Sequence, residues 1–190
     1  IDMHDPYLRE LRKRCRAKII FDHFHVIKPM SLAIDNIRRR QQNEMPPEGR
    51  RYLKHSRYLL LRPREDLTKA QSVRLKDLLA VNQTLSTAYL LKEDLRRFWH
   101  YRSSAWAEGH LRQWLWRAAH SRLAPFKTFA RMLRTHLDGV LAWTRIRITN
   151  GALEGMNNKV KIISHRAYGY RTAWTYIANI YHCCAELPLP

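Results

Sequence analysis

Most of the chain repeats apolar residues every three or four positions, a spacing that predicts amphipathic helices. The exceptions lie near its beginning, where two short apolar segments lack a helical period. We interpret residues 18–21 as a buried strand and Ile1 as the end of another strand. Between them, apolar residues at helical spacing follow Pro6, which suits the first turn of a helix. Residues 1–30 therefore predict a strand–helix–strand unit.

The rest of the sequence predicts helices alone, and several residues indicate where they begin and end. Thr68 and Gln71 have the spacing of a capping box, in which each side chain binds the other residue's backbone N–H. Asn82 is expected to divide two helices, and Gly139 to follow a later helix as its C′ residue. The sequence thus predicts three parts: strand–helix–strand at 1–30, a helical insertion at 31–140 and C-terminal helices at 141–190.

The composition points to a polyanionic partner. The 190 residues include 35 Lys and Arg against 16 Asp and Glu, a formal charge of +19. Such an excess favours nucleic acid as the partner, with an anionic membrane surface as the alternative. Apolar runs of about 18 residues, which a transmembrane helix needs, are absent. The three cysteines lack the spacing of a disulfide framework or a zinc site, which is typical of a protein of the reducing cytoplasm.

A few acidic residues occupy positions that suit a metal site. Asp2 and Asp22 each follow a predicted strand, and open α/β sheets bind ligands at that edge. Glu154 lies near the start of a helix among amide and lysine side chains, and its oxygens suit Mg²⁺ or Mn²⁺. Alternatively, Glu154 stabilises the helix dipole. Asp22 and His25 are either part of a metal site or a buried pair that satisfies its own hydrogen bonds.

Two other patterns allow a structural and a functional interpretation. The three arginines at residues 38–40 are either a solvated helix face or contacts to DNA phosphates. Three tryptophans recur seven and eight residues apart, so they share a helix face. This spacing predicts packing in the core, and stacking on DNA bases is the alternative. These tryptophans are Trp99, Trp106 and Trp114.

Three segments together resemble one family, the DDE transposases of ISL3-type bacterial insertion sequences. Residues 1–7 are similar to its Asp-Met-x-x-x-Tyr segment. Residues 20–28, followed by 33–39, resemble its Asp-x-Phe-His-Val motif and the helix after it. Residues 149–161, with 166–171, resemble its long Thr-Asn-Gly-x-x-Glu-Gly-x-Asn block. The last block is the most specific, and the resemblance covers nearly the whole chain.

The resemblance implies a mostly helical α/β chain, part of a ribonuclease H-like fold with a large helical insertion. It implies DNA strand cleavage and strand transfer with two Mg²⁺ or Mn²⁺ ions. Glu154 and Asp2 would be catalytic metal ligands, although Asp5 or Asp22 could replace Asp2. Asp22 and His25 would form a supporting Asp-x-x-His motif. The expected DNA contacts are Arg38, Arg39, Arg40, Asn157, Lys159, Lys161 and Arg166.

The resemblance also implies partners and a cellular setting. DNA would be bound as terminal inverted repeats and as target, with self-association on paired DNA ends, no membrane, and a place in the bacterial cytoplasm at the nucleoid. The family's first catalytic Asp precedes the matched segments, so we expect the C-terminal part of a catalytic domain that is inactive alone. The alternative is a non-catalytic DNA-binding remnant of a mobile element.

Overall fold

The computed structural model describes residue 3 and residues 5–148 and 151–184. The chain divides into two compact units, residues 1–148 and 149–190. Within the described residues every regular element is helical, and no β-strand occurs. The predicted α/β fold with a partial ribonuclease H-like core is therefore wrong for this part of the chain. Ile1, expected to end a strand, lies outside the described residues.

Nine α-helices and one short 3₁₀ turn make up the described part of the first unit, and two α-helices make up that of the second. None of these helices is both long enough and apolar enough to cross a bilayer. In chain order they are α1 (Asp5–Arg14), α2 (His23–Glu44), α3 (Pro47–Leu53), α4 (Arg57–Leu61), the 3₁₀ turn Arg64–Asp66, α5 (Lys69–Val81), α6 (Gln83–Phe98), α7 (Ser104–His120), α8 (Ala124–Thr135), α9 (Leu137–Arg145), α10 (Gly151–Arg166) and α11 (Ala173–Cys184).

Residues 18–21, predicted as a strand, instead form an irregular segment. The N–H of Phe21 donates to the carbonyl oxygen of Gly139 at 3.1 Å, so its partner is helix α9 rather than a neighbouring strand. The Phe21 ring is buried beside Gly139. Gly139 therefore lies inside α9 and is not the C′ residue that the sequence predicted. The close approach of an aromatic ring explains why a glycine stands there.

The core of the first unit forms around α2, which packs against α6 and α8, while α7 packs against both of these helices. Trp114 is fully buried, and its indole N–H donates to the Leu91 carbonyl oxygen at 2.7 Å. Trp99 is also buried, which confirms the core prediction for these two tryptophans. Trp106 is 74% exposed, so the same prediction is wrong there.

The helix ends follow the local chemistry of the sequence. Thr68 and Gln71 form both hydrogen bonds of the predicted capping box. Asn82 separates α5 from α6, and its side chain accepts a hydrogen bond from the Leu85 N–H at 2.9 Å. Helix α7 is capped by Ser103. Capping of this kind satisfies N–H groups that a helix leaves unpaired.

The second unit is a helical hairpin in its described part. Helices α10 and α11 pack together, and the phenol groups of Tyr170 and Tyr176 donate to carbonyl oxygens of α10. The turn between the helices contains Tyr168 and Gly169, both with positive φ. No described residue of α11 is buried. The predicted division at residues 30 and 140 stays a prediction, although α2 and α9 run through these positions.

Candidate functional site

Glu154 occupies the first turn of α10 and is exposed. Residues three, four, seven and eleven positions later lie on the same face of a helix. In α10 these positions carry two amides, a lysine and a histidine, all of them exposed, while Val160 and Ile163 on the opposite face are partly buried. The residues that share the face of Glu154 are Asn157, Asn158, Lys161 and His165.

The other two expected DNA contacts of α10 lie on a different face. Lys159 and Arg166 are seven residues apart and border a groove of about 480 Å³ between α10 and α11. Ile162, Tyr170 and Asn179 also line this groove. Asn157 and Lys161 therefore share a surface with Glu154, whereas Lys159 and Arg166 belong to the flank of the hairpin.

Asp22 is the N-cap of α2 rather than a strand-end residue. Its carboxylate accepts a hydrogen bond from the Phe24 N–H at 2.9 Å, and the side chain is buried. His25, half-buried in the first turn of α2, donates its backbone N–H to the Asp22 carbonyl at 3.1 Å. Both belong to the first unit and Glu154 to the second. Asp2 lies outside the described residues.

His23 lies in an aromatic cluster beside Asp22. Its ring meets the Trp99 ring edge-on, with centroids 4.5 Å apart, and the Trp143 ring lies at 6.4 Å. Burial lowers the pKa of His23, and the negative charge of Asp22 opposes that shift. A neutral imidazole suits packing against tryptophan rings. Sequence reasoning did not find this cluster, because its members come from three separate helix ends.

Comparison with known proteins decides the family. The family model for ISL3-type DDE transposases, described as "Transposase", matches residues 1–180. This chain belongs to that family. Over 175 residues it is 41% identical to the transposase of insertion sequence element IS1001 from Bordetella parapertussis, covering 90% of this chain and 43% of that protein.

The transposases of element IS1557 from two Mycobacterium tuberculosis strains are 29% identical over 180 residues. That match covers 83% of this chain and 40% of the relatives. This transposase chain therefore spans about two fifths of the length of the curated relatives it matches. No solved structure matches it.

DDE transposases generally use divalent metal ions, which proteins hold mainly through carboxylate oxygens. Among the described residues, no three His, Cys, Asp or Glu side chains lie close enough to hold an ion. In residues 151–184 Glu154 is the only acidic residue. Asp22 is already engaged in capping α2. The described residues alone therefore do not fit a two-ion site.

The arginine run of the transposase chain is paired with buried and exposed carboxylates. Arg38 and Arg39 both bind the Asp35 carboxylate, at 2.7 and 3.0 Å, and Asp35 is only 4% exposed. Arg40 binds Glu44 at 2.7 Å. Burial acts to raise the pKa of Asp35, but the hydrogen bond and charge of Arg38 outweigh it and hold the pKa low. Each arginine of the run thus has a carboxylate partner, and the role of the run in DNA binding stays a prediction.

Replacing Asp35 by asparagine tests how much this network stabilises the first unit. We expect Asp35→Asn to lower the free energy of unfolding by about 2 kcal/mol, the range for a charge-assisted hydrogen bond. Because the folded state holds the Asp35 pKa low, wild-type stability should fall as pH drops through that pKa, and the variant should lose less. Urea unfolding at pH 7 and at about pH 3, below the ordinary Asp pKa of 3.8, measures both effects. Equal pH dependence in the two proteins would contradict this assignment.

Helix α8 carries a basic face that the sequence reasoning missed. Lys127, Arg131 and Arg134 are exposed, and none of them is in an ion pair with a described residue. The available signal was their spacing of four and three residues, combined with the lack of any Asp or Glu in residues 124–135. We call these three residues the α8 basic strip.

Proposed function

We propose that this chain supplies the Glu154-bearing part of an insertion-sequence transposase that cleaves DNA strands and joins them to target DNA. The observation that supports this is the exposed face of α10. It combines one carboxylate with two amides, a lysine and a histidine, and no other described acidic residue lies in that unit. Family membership supplies the reaction class, since DDE transposases process DNA.

The side chains of this face suit the approach of a phosphodiester. Lys161 lies about two helical turns from Glu154, a distance of roughly 10 Å along the axis. A lysine there can bind a phosphate as a point charge, and amide N–H groups of Asn157 and Asn158 can donate to its oxygens. Glu154 then faces a DNA strand that its neighbours hold. This division of roles accounts for an acidic side chain in a basic helix.

Metal dependence is part of the proposal for the whole protein. Magnesium or manganese ions, two in the complete site, would supply charge stabilisation at the scissile phosphate. The described residues contribute a single suitably placed carboxylate, Glu154. We therefore propose that the other ligands are Asp2 and residues from the part of the relatives' length that this chain does not span. On this proposal the chain is inactive by itself.

The partners follow from the same proposal. DNA would be bound both as terminal inverted repeats and as target, and pairing of two DNA ends would bring copies of the protein together. The formal charge of +19 supports strong attraction to DNA. It also supports residence at the bacterial nucleoid, where DNA is concentrated.

The decisive experiment replaces Glu154 by glutamine in a transposase of the relatives' full length that contains this chain. We expect at least a 100-fold loss of Mg²⁺-dependent strand cleavage and transfer, comparable with loss of one transition-state-stabilising group. DNA affinity should stay equal or rise, because the variant removes a negative charge. A labelled duplex carrying the element ends provides both readouts.

Glu48→Gln is the matched control. Glu48 is an exposed carboxylate in the first turn of α3, and Glu154 likewise lies exposed in the first turn of its helix. It should leave cleavage unchanged. Full cleavage by the Glu154 variant would refute the proposed role of that residue.

A second candidate is a DNA-binding remnant without catalytic activity. The formal charge of +19 supports DNA binding by the chain whether or not it takes part in catalysis. It predicts metal-independent DNA binding and no cleavage even in the full-length protein. The same assay, run with wild-type protein, separates the two functions.

A further inference from the structure

Among the described residues of the first unit, some exposed cations are in an ion pair with a carboxylate and others are not. Arg112 binds Glu108 at 2.7 Å, and Arg117 binds Asp94 at 2.6 Å. Arg40 has Glu44 as its partner. In contrast, the α8 basic strip has no carboxylate partner within the described part of the chain. A phosphate that reaches the strip therefore does not have to displace a protein carboxylate.

The core holds the strip in a fixed geometry. The opposite face of α8 is buried through Phe126, Phe129, Ala130 and Leu133, and α8 packs against α2 and α7. The spacing of four and three residues places the three cations on one line along the helix, which spans about 10.5 Å. One DNA strand places a phosphate about every 3.4 Å along the duplex axis. The strip is thus long enough to face about three phosphates.

The start of α8 adds to the same positive potential. Leu123, its N-cap residue, offers no side-chain hydrogen bond to the first N–H groups, and the first turn has no acidic residue. Arg122 precedes it, exposed and in the left-handed region with φ of 60°. Unpaired N–H groups and the helix dipole both favour an anion near this end. The strip and the helix end therefore attract the same kind of ligand.

The chemistry of the strip favours DNA over a lipid surface. A helix that lies on a membrane presents large apolar side chains beside its cations. The exposed neighbours of the strip are Thr128 and Thr135, and α8 exposes no large hydrophobic side chain. Hydroxyl groups and cations without apolar anchors are typical of phosphate-backbone contacts.

We propose that the α8 basic strip binds the DNA backbone without sequence preference. This surface differs from the Glu154 face of α10 and from the expected DNA contacts of the arginine run. The proposal rests on the proposed function in one respect, namely that DNA is the partner. It assigns the strip to holding DNA by its phosphates and gives it no part in the reaction.

The test measures binding of the full 190-residue chain to a fluorescent duplex of arbitrary sequence, without divalent metal, over a series of salt concentrations. Replacing Lys127, Arg131 and Arg134 by glutamine should weaken binding at least 10-fold at low salt. The slope of log K against log salt should become less steep by ~2.7, which is ~0.9 for each lost phosphate contact. Circular dichroism should show unchanged helix content, because all three side chains are exposed.

A charge-matched control carries Lys13→Gln, Arg112→Gln and Arg117→Gln, which remove three cations that already bind carboxylates. We expect its salt slope to change by less than ~1. Equal losses in the two triple variants would overturn the proposal, since they would show an effect of net charge alone. Unchanged binding by the strip variant would also overturn it.

The result of this DNA-binding test is independent of the result of the cleavage test for the proposed function. If the strip variant loses DNA affinity while Glu154→Gln cleaves normally, the strip is retained and the catalytic role of Glu154 fails. If the strip variant keeps its DNA affinity but loses binding to vesicles of anionic phospholipid, the strip is a lipid contact and the proposal is wrong.

Discussion

Replacing Lys92 by methionine should lower the free energy of unfolding by about 3 kcal/mol, within the range for removing one partner of a buried charged pair. Lys92 is 1% exposed, and its ammonium donates to the carbonyl oxygens of Leu60 and Arg62 at 2.9 and 2.7 Å. It also binds the Glu93 carboxylate at 2.6 Å. Methionine keeps the side-chain volume but leaves the two carbonyl oxygens without their donor and removes the ion pair with Glu93.

The pH dependence of this effect has a definite sign. Burial lowers the pKa of Lys92 below its ordinary 10.5, although Glu93 opposes the shift. Between the lowered pKa and 10.5 the unfolded state binds more protons than the folded state, so wild-type stability rises with pH in that window. The stability difference between wild type and Lys92→Met should therefore widen from neutral pH towards 10. Burial raises the pKa of the neighbouring Tyr89 phenol, so Tyr89 stays neutral over the same pH range and does not add to this effect.

Urea unfolding of both proteins at several pH values measures this difference. Lys76→Met is the matched control, since Lys76 is exposed on α5, and it should change stability by no more than about 0.5 kcal/mol. A Lys92→Met protein as stable as wild type would contradict the importance of the buried ammonium. A difference that narrows as pH rises would contradict the direction of its pKa shift.

Replacing Gly139 by alanine should cost about 3 kcal/mol, at the upper end of the usual range for overpacking a core. A Cβ atom at this position would overlap the ring of Phe21, which is buried against α9. Both the ring and the adjacent backbone hydrogen bond from Phe21 to Gly139 would have to shift. Thermal and urea unfolding measure the loss.

Two further variants show whether the clash with the ring is the cause. Gly109→Ala in α7 is the control, because a Cβ there meets nothing within 4 Å, and it should stabilise the helix by about 0.5–1 kcal/mol. Combining Gly139→Ala with Phe21→Leu should cost less than the sum of the two single changes. Strict additivity would contradict a direct contact.

Helices and several of their ends could be predicted from the sequence because they depend on local chemistry. The fold class could not, because it depends on pairing between distant segments. The capping box of Thr68 and Gln71 was correct because both of its hydrogen bonds form within one helical turn. The apolar run at residues 18–21 indicated burial correctly for Phe21, but burial does not specify a strand. Whether such a segment pairs with a strand or with a helix depends on residues far away in sequence, here Gly139.

The candidate site was only partly accessible to sequence reasoning for the same reason. Residue order predicted Glu154 near the start of a helix among amide and lysine side chains, and it lies there, while its catalytic role stays a prediction. It did not show that Asp35 pairs with Arg38 and Arg39, since this depends on which way each side chain turns within the fold. Residue order also did not show that the cations of α8 lack a carboxylate partner among the described residues, since this depends on which ion pairs the fold forms. Asp22 was predicted beside a strand and caps a helix instead.

The central position of α2 has a consequence for the speed of folding. Helices α5 to α9 mostly pack against their neighbours in sequence, and such local contacts form quickly. Helix α2 packs against α6 and α8, which follow it by some forty to eighty residues. Closing loops of that length costs chain entropy before any contact compensates for it. The folding rate of the first unit should therefore depend on the step in which α2 packs against the later helices. Those helices form the surface against which α2 packs.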